Sequence, residues 1–92
     1  MSSDVDWENK ATYPVLRFLD ETGFAFSNSG LIYNLQRWER WSELEDPPSE
    51  ATINRALKGL RENDLVDRPR GNLYRINERG RSYLAGELES DG

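Results

Sequence analysis

The stretch from Ser49 to Ile76 constrains the fold more than any other part of the chain, because its apolar spacing changes once and abruptly. Ile53, Ala56, Leu57 and Leu60 recur at the three- and four-residue intervals of a helix. After Asn63-Asp64 the pattern becomes two short runs, Leu65-Val66-Asp67-Arg68 and Leu73-Tyr74-Arg75-Ile76, joined through Pro69-Arg70-Gly71-Asn72. Gly71-Asn72 suits the positive φ angles of a tight hairpin. The spacing predicts a helix over about 49–62, followed directly by a hairpin with Tyr74 and Ile76 turned inward and Arg75 outward. Asp46-Pro47-Pro48 separates this helix from whatever precedes it, since two successive prolines cannot extend a helical ladder.

The rest of the chain reads as helices around this unit. Residues 1–10 form a polar, acidic and flexible lead-in, with Trp7 as its anchor. Thr12 is the expected N-cap of a first helix that runs to about Thr22, tolerates Pro14 in its first turn and carries Val15, Leu16, Phe18 and Leu19 inward. Gly23 is placed to close it in the left-handed conformation. Phe24-Ala25-Phe26 is long enough only to pair with the edge of a small sheet. Ser27, Asn28 or Ser29 caps a second helix through Leu31, Ile32, Leu35 and Trp38, whose stripe continues through Trp41 and Leu44 or breaks near Arg40. Asn77 caps a last helix bearing Tyr83, Leu84 and Leu88, and residues 89–92 are a disordered tail. The expected fold is one α+β, mainly α domain over 11–88.

Composition removes whole classes of chemistry. The chain has no histidine and no cysteine, so the commonest general base, the commonest metal ligand and any thiolate nucleophile are missing. Glu43 with Glu45, and Glu87 with Glu89, are spaced as solvated charges. Neither a metal-ligand cluster nor a glycine-rich phosphate loop is present. The sequence therefore speaks against an enzyme and calls for no cofactor. No stretch approaches the roughly 20 apolar residues of a membrane span, and the first residues lack a signal-peptide apolar run, so a soluble cytoplasmic protein is expected.

Charge is segregated. The net charge is -5, yet residues 55–81 hold eight basic side chains against four acids, a net +4, and the remainder holds four against thirteen, a net -9. A basic segment in an acidic chain directs one face towards a polyanion. Only Lys10 and Lys58 are lysines, against ten arginines. That profile resembles proteins of salt-accumulating halophiles, in which an acidic surface serves hydration.

Around the 49–62 helix, the sector opposite the apolar face holds Ala51, Asn54, Arg55, Lys58 and Glu62. Asn54 suits paired hydrogen bonds to adenine, Arg55 to guanine, and the Ala51 methyl a thymine methyl. Lys58 and the Ser49 hydroxyl suit phosphate, Thr52 either base or phosphate, and Glu62 is expected to turn away from the duplex. Gly59 lies outside the apolar sector, at a cost of about 1 kcal/mol relative to Ala, and implies close approach of a neighbouring helix or of DNA. Arg68 and Arg70 flank Pro69 near the hairpin tip, and with Arg75 they suit the backbone or minor groove.

The run Thr52-Ile53-Asn54-Arg55-Ala56-Leu57-Lys58-Gly59-Leu60-Arg61-Glu62-Asn63-Asp64-Leu65-Val66 resembles the recognition helix and first wing strand of winged helix-turn-helix regulators. Residues 74–84 resemble their second wing strand and last helix, and Tyr83-Leu84-Ala85-Gly86-Glu87-Leu88 is similar to haloarchaeal and halophage repressor-like members. The resemblance covers about Ser49 to Leu88. It implies a three-helix core with a small β-hairpin wing and a C-terminal helix, and a cytoplasmic homodimer that binds double-stranded DNA sequence-specifically, as a repressor, without a cofactor. In that pattern the glycine brings the helix close to the wing. The chain departs from it between the second and third helices, where Gln36 to Asp46 replace a tight turn. Two other readings stand beside it. Trp38 and Trp41, interleaved with Arg37 and Arg40, form the outline of a stacking platform for single strands, although the acids that follow repel phosphate. A winged-helix protein-interaction module that binds no DNA fits the acidic surface, the tryptophans and the Leu84/Leu88 pair.

Overall fold

Four helices and a two-stranded antiparallel hairpin make up residues 7–38 and 46–86, the part of the chain described by the computed structural model. In chain order these are α1 (Thr12–Thr22), α2 (Asn28–Gln36), α3 (Glu50–Glu62), β1 (Val66–Asp67), β2 (Arg75–Ile76) and α4 (Glu78–Leu84). The expected continuation through Trp41 and Leu44, Leu88 and the 89–92 tail all lie outside these residues. No helix among the described residues is long and apolar enough to cross a membrane.

α1 sits at the centre of the packing and touches α2, α3, α4 and β2. Val15, Leu16 and Leu19 are fully buried and Phe18 nearly so, as their spacing requires. Thr12 is not the N-cap. Ala11 holds that position with no side-chain cap, and Thr12 lies in the first turn, in phase with Leu16 and Leu19 and fully buried. Its hydroxyl accepts the Asn9 amide at 2.9 Å, while the Asn9 side-chain oxygen accepts the Ala11 amide at 2.8 Å. Such pairing is what a buried hydroxyl needs. Gly23 closes the helix at φ 71°, donating its amide to Leu19.

α2 is capped by the Ser27 hydroxyl, which accepts the Gly30 amide at 3.1 Å. It ends two residues before Trp38 instead of running through it. The last turn tightens into i→i−3 bonds, from Arg37 to Asn34 and from Trp38 to Leu35. Trp38 then sets its ring edge-on to Phe18, 5.5 Å between centroids. The Gln36 side-chain amide donates to the Pro48 carbonyl at 3.3 Å, which brings the end of α2 beside the start of α3.

α3 closes with its own backbone. Asp64 takes φ 63°, the Leu65 amide reaches back to the Leu60 carbonyl at 2.9 Å, and the Asp64 amide to Arg61 at 3.1 Å. This is the Schellman arrangement, with Asp in the position that glycine usually fills. The turn delivers Leu65 into the core and starts the hairpin, in which Val66 pairs with Ile76 and Asp67 with Arg75. Its tip needs positive φ only at Gly71, 50°, and the Leu73 amide closes the turn on Arg70 at 2.9 Å. Asn72 stays at negative φ, so one glycine suffices where two permissive residues were expected. Phe26 and Tyr74 exchange backbone hydrogen bonds at 2.9 and 2.7 Å, so the short segment after α1 does pair with the small sheet.

α4 lies on the corner between α3 and β1. Asn77 caps it by accepting the Gly80 amide at 2.8 Å and donates to the Asp64 carbonyl at 3.0 Å. At Gly80 the helix backbone passes against the Leu65 carbonyl, and a Cβ there would also meet Ile76 Cγ1 at 2.8 Å. The packed part of the domain begins at Trp7 rather than at residue 11, because the Trp7 ring packs at a tilt against Tyr83 with 5.8 Å between centroids. We expect Gly80→Ala to lower stability by about 1–3 kcal/mol in urea denaturation, since a methyl overpacks this contact. Alanine gains about 1 kcal/mol of helix propensity over glycine, so an unchanged or raised midpoint would show that the close approach carries no weight.

Candidate nucleic-acid interface

α3 divides by phase into three strips. Ile53, Ala56, Leu57 and Leu60 are buried in the core. Ala51, Asn54, Arg55 and Lys58 are exposed on the opposite side. Thr52 and Gly59, between these, lie beneath the N-terminal segment. Burial of the first strip orients the second outward, because the helix cannot turn without exposing four apolar side chains.

The polar groups at the start of α3 are occupied by the helix itself. The Ser49 hydroxyl accepts the Thr52 amide at 3.2 Å and lies 3.0 Å from the Thr52 hydroxyl, so these two groups cap α3. Asn54 is joined to α2, its side-chain oxygen accepting the Asn28 amide group at 2.7 Å. Its own NH₂ is left as a donor towards solvent. Asn28 is a site residue that sequence reasoning did not single out, since it reaches the α3 face only through the packing of α2. Among the described residues, Arg55 and Lys58 form no ion pair.

Gly59 meets neither a neighbouring helix, nor the hairpin, but the N-terminal segment. A Cβ on Gly59 would stand 2.6 Å from Trp7 Cε3 and 3.2 Å from the Trp7 carbonyl oxygen. Asn9 donates to the Thr52 carbonyl at 3.0 Å, so residues 7–9 run along one flank of α3, antiparallel to it. An open cleft of about 410 Å³ lies between them, lined by Trp7, Glu8, Asn9, Arg55, Lys58, Gly59 and Glu62. Glu62, expected to turn away from the interface, shares this cleft with Arg55 and Lys58. A last-turn position at the same phase as the basic residues has no other direction to point.

On the hairpin, Tyr74 and Ile76 are buried and Arg75 is exposed, as period-two alternation requires. The three arginines differ in their freedom. Arg68 lies over the Tyr74 ring, 4.5 Å from its centroid, and donates to the Gly71 carbonyl at 2.9 Å, so it braces the turn. Arg70 and Arg75 are exposed with no ion pair among the described residues. Trp38 packs half-buried against Phe18, and Trp41, the other half of the expected stacking platform, lies outside the described residues. Arg37 instead stacks on Tyr33, 3.9 Å from its centroid.

These placements supply two sets of exposed cations, Arg55 with Lys58 on a rigid helix and Arg70 with Arg75 on a hairpin that leads directly from it. With the Asn54 amide they offer charge for phosphates and directional donors for base edges. Comparison with protein-family models, with curated proteins and with solved structures gives no match for this chain. Arg68→Ala should destabilise the fold by about 0.5–1 kcal/mol, because it removes a stacked cation and a turn hydrogen bond. Arg70→Ala should stay within about 0.5 kcal/mol of the parent. Chemical denaturation of the pair separates the bracing arginine from the free one, and equal midpoints would remove the distinction.

Proposed function

We propose that this chain is a sequence-specific, double-stranded DNA-binding transcriptional regulator with a winged helix-turn-helix arrangement, acting as a homodimeric repressor. In this reading α3 is the recognition helix and enters the major groove, and the β1–β2 hairpin is the wing that holds the adjacent backbone or minor groove. The observation that carries it is the outward strip of α3. Arg55 and Lys58 stand exposed opposite the buried strip, next to Ala51 and Asn54, on the helix that runs straight into a hairpin with exposed Arg70 and Arg75.

Roles follow from the chemistry of each group. The Arg55 guanidinium matches the two acceptors of guanine, and the Asn54 amide matches adenine once Asn28 yields or shares its oxygen. Lys58, a compact point charge, belongs on phosphate, as do Arg70 and Arg75. Ser49 and Thr52 serve by fixing the start of α3, and Arg68 by holding the wing in shape. The net charge of -5 sets a repulsive background, so affinity depends on this local face. A second reading, a protein-interaction module of the same architecture, draws on Phe24 and Tyr33, which are 68% and 58% exposed.

Selection from a random duplex pool across a salt series tests the proposal, and an enriched inverted repeat is the expected result. On the selected site, Arg55→Ala should cost about 1–3 kcal/mol and relax preference at one base position. Arg70→Ala should weaken all sequences alike and reduce the salt slope by about 1. Equal affinity of both variants and the parent would sink the assignment. No retention of any duplex at low salt would favour the protein-interaction reading.

A further inference from the structure

The cleft beside α3 places carboxylates where the proposed function needs cations to be open. Residues 7–10 form a strap along the flank of the helix, fastened to it through side chains. The Trp7 ring fits the notch that Gly59 leaves, with no room for a Cβ, and touches Tyr83, which in turn stacks on Tyr13 at 5.6 Å between centroids. Asn9 donates to the Thr52 carbonyl at 3.0 Å and Lys10 to the Asp46 carbonyl at 3.3 Å. No backbone ladder fastens the strap to α3 among the described residues. Between these attachments Glu8 lines the same cleft as Arg55 and Lys58, and Glu62 lines it from the helix side.

Two carboxylates in one open cleft with two cations lower the positive potential that the cations present to solvent. One Glu8 carboxylate oxygen, Oε2, is buried rather than open to solvent, and its charge is screened less than that of a surface carboxylate. Glu62 is fixed to the helix, whereas Glu8 departs with the strap. The arrangement has the parts of a reversible mask: a like-charged competitor, a side-chain latch and a glycine cut to fit that latch.

We infer that the strap is an autoinhibitory element, whose docked form opposes binding of a polyanion to Arg55 and Lys58, and whose Trp7 leaves the Gly59 notch when duplex DNA engages α3. This rests on the DNA-binding reading above and deepens it by naming what regulates the same face. Gly59 then has a specific purpose. A larger residue there leaves the core strip of α3 intact and denies the latch its seat.

The test uses the full chain carrying 5-fluorotryptophan, with Trp7→Phe to assign the Trp7 fluorine resonance, and a random-sequence duplex at low salt as the probe. Glu8→Gln and Gly59→Ala should each bind duplex roughly 3- to 10-fold more tightly than the parent, a gain that shrinks as salt rises. On saturation of the parent, the Trp7 resonance should move to the position it holds in DNA-free Gly59→Ala. Circular dichroism checks that Gly59→Ala is folded, and Glu8→Gln, which leaves the notch untouched, decides the matter if it is not. Equal affinities with an unmoved Trp7 resonance would overturn the mask and leave the DNA-binding reading standing. Failure of parent and both variants to bind any duplex would overturn both.

Discussion

Burial of the α1 stripe is the interaction on which the rest of the molecule depends. Val15, Leu16 and Leu19 reach zero exposure because α2, α3, α4 and β2 all close on this one helix. Each fully buried leucine or valine contributes about 1.5–3 kcal/mol. That gain must be set against the conformational entropy lost by a short chain, which is why so small a domain concentrates its core on a single element. α3 is held by the same contact. Its inner strip faces α1, and its outer strip is therefore presented to solvent in a fixed direction without any side chain of its own to steer it.

Close backbone approaches then define the two ends of the candidate site. At Gly80, α4 presses on the Leu65 carbonyl just after the Asp64 turn, and the Asn77 side chain ties the same corner. This sets where the hairpin leaves α3, and so where Arg70 and Arg75 stand relative to Arg55 and Lys58. At Gly59 the approach is made by Trp7, and the result is a flank of α3 on which residues 7–9 rest. The two glycines look alike in the sequence. One joins parts of the fold, and the other seats a strap beside the outward strip of α3.

The acidic excess and the basic face are compatible because electrostatics in water is local. Within a screening length of about 8–10 Å at ordinary salt, Arg55 and Lys58 interact mostly with what lies in their own cleft. The distant carboxylates set the background and Glu8 and Glu62 set the contrast. A chain with two lysines and ten arginines also holds its cations as planar forks suited to hydrogen-bonded recognition.

Periodicity was enough to place α3, α4, the hairpin and the α1 stripe, and to divide inward Tyr74 and Ile76 from outward Arg75. Those features follow from local geometry: 3.6 residues per turn, alternation in a strand, and caps at Ser27, Ser49 and Asn77 that satisfy their own helix. The exposed positions Ala51, Asn54, Arg55 and Lys58 were legible for the same reason, since the phase of a helix is set by its apolar strip. Tertiary structure alone decided the remainder, because each case turns on residues far apart in the chain. Trp7 fills the Gly59 notch from 52 positions away. Asn28 comes to Asn54 only when α2 docks, and Trp38, just past the end of α2, meets Phe18 of α1. Arg68 becomes a brace because Tyr74 lies under it, and Glu62 joins the cleft because the strap forms its other wall. A sequence states which face of an element is apolar; what the other face meets is settled by packing.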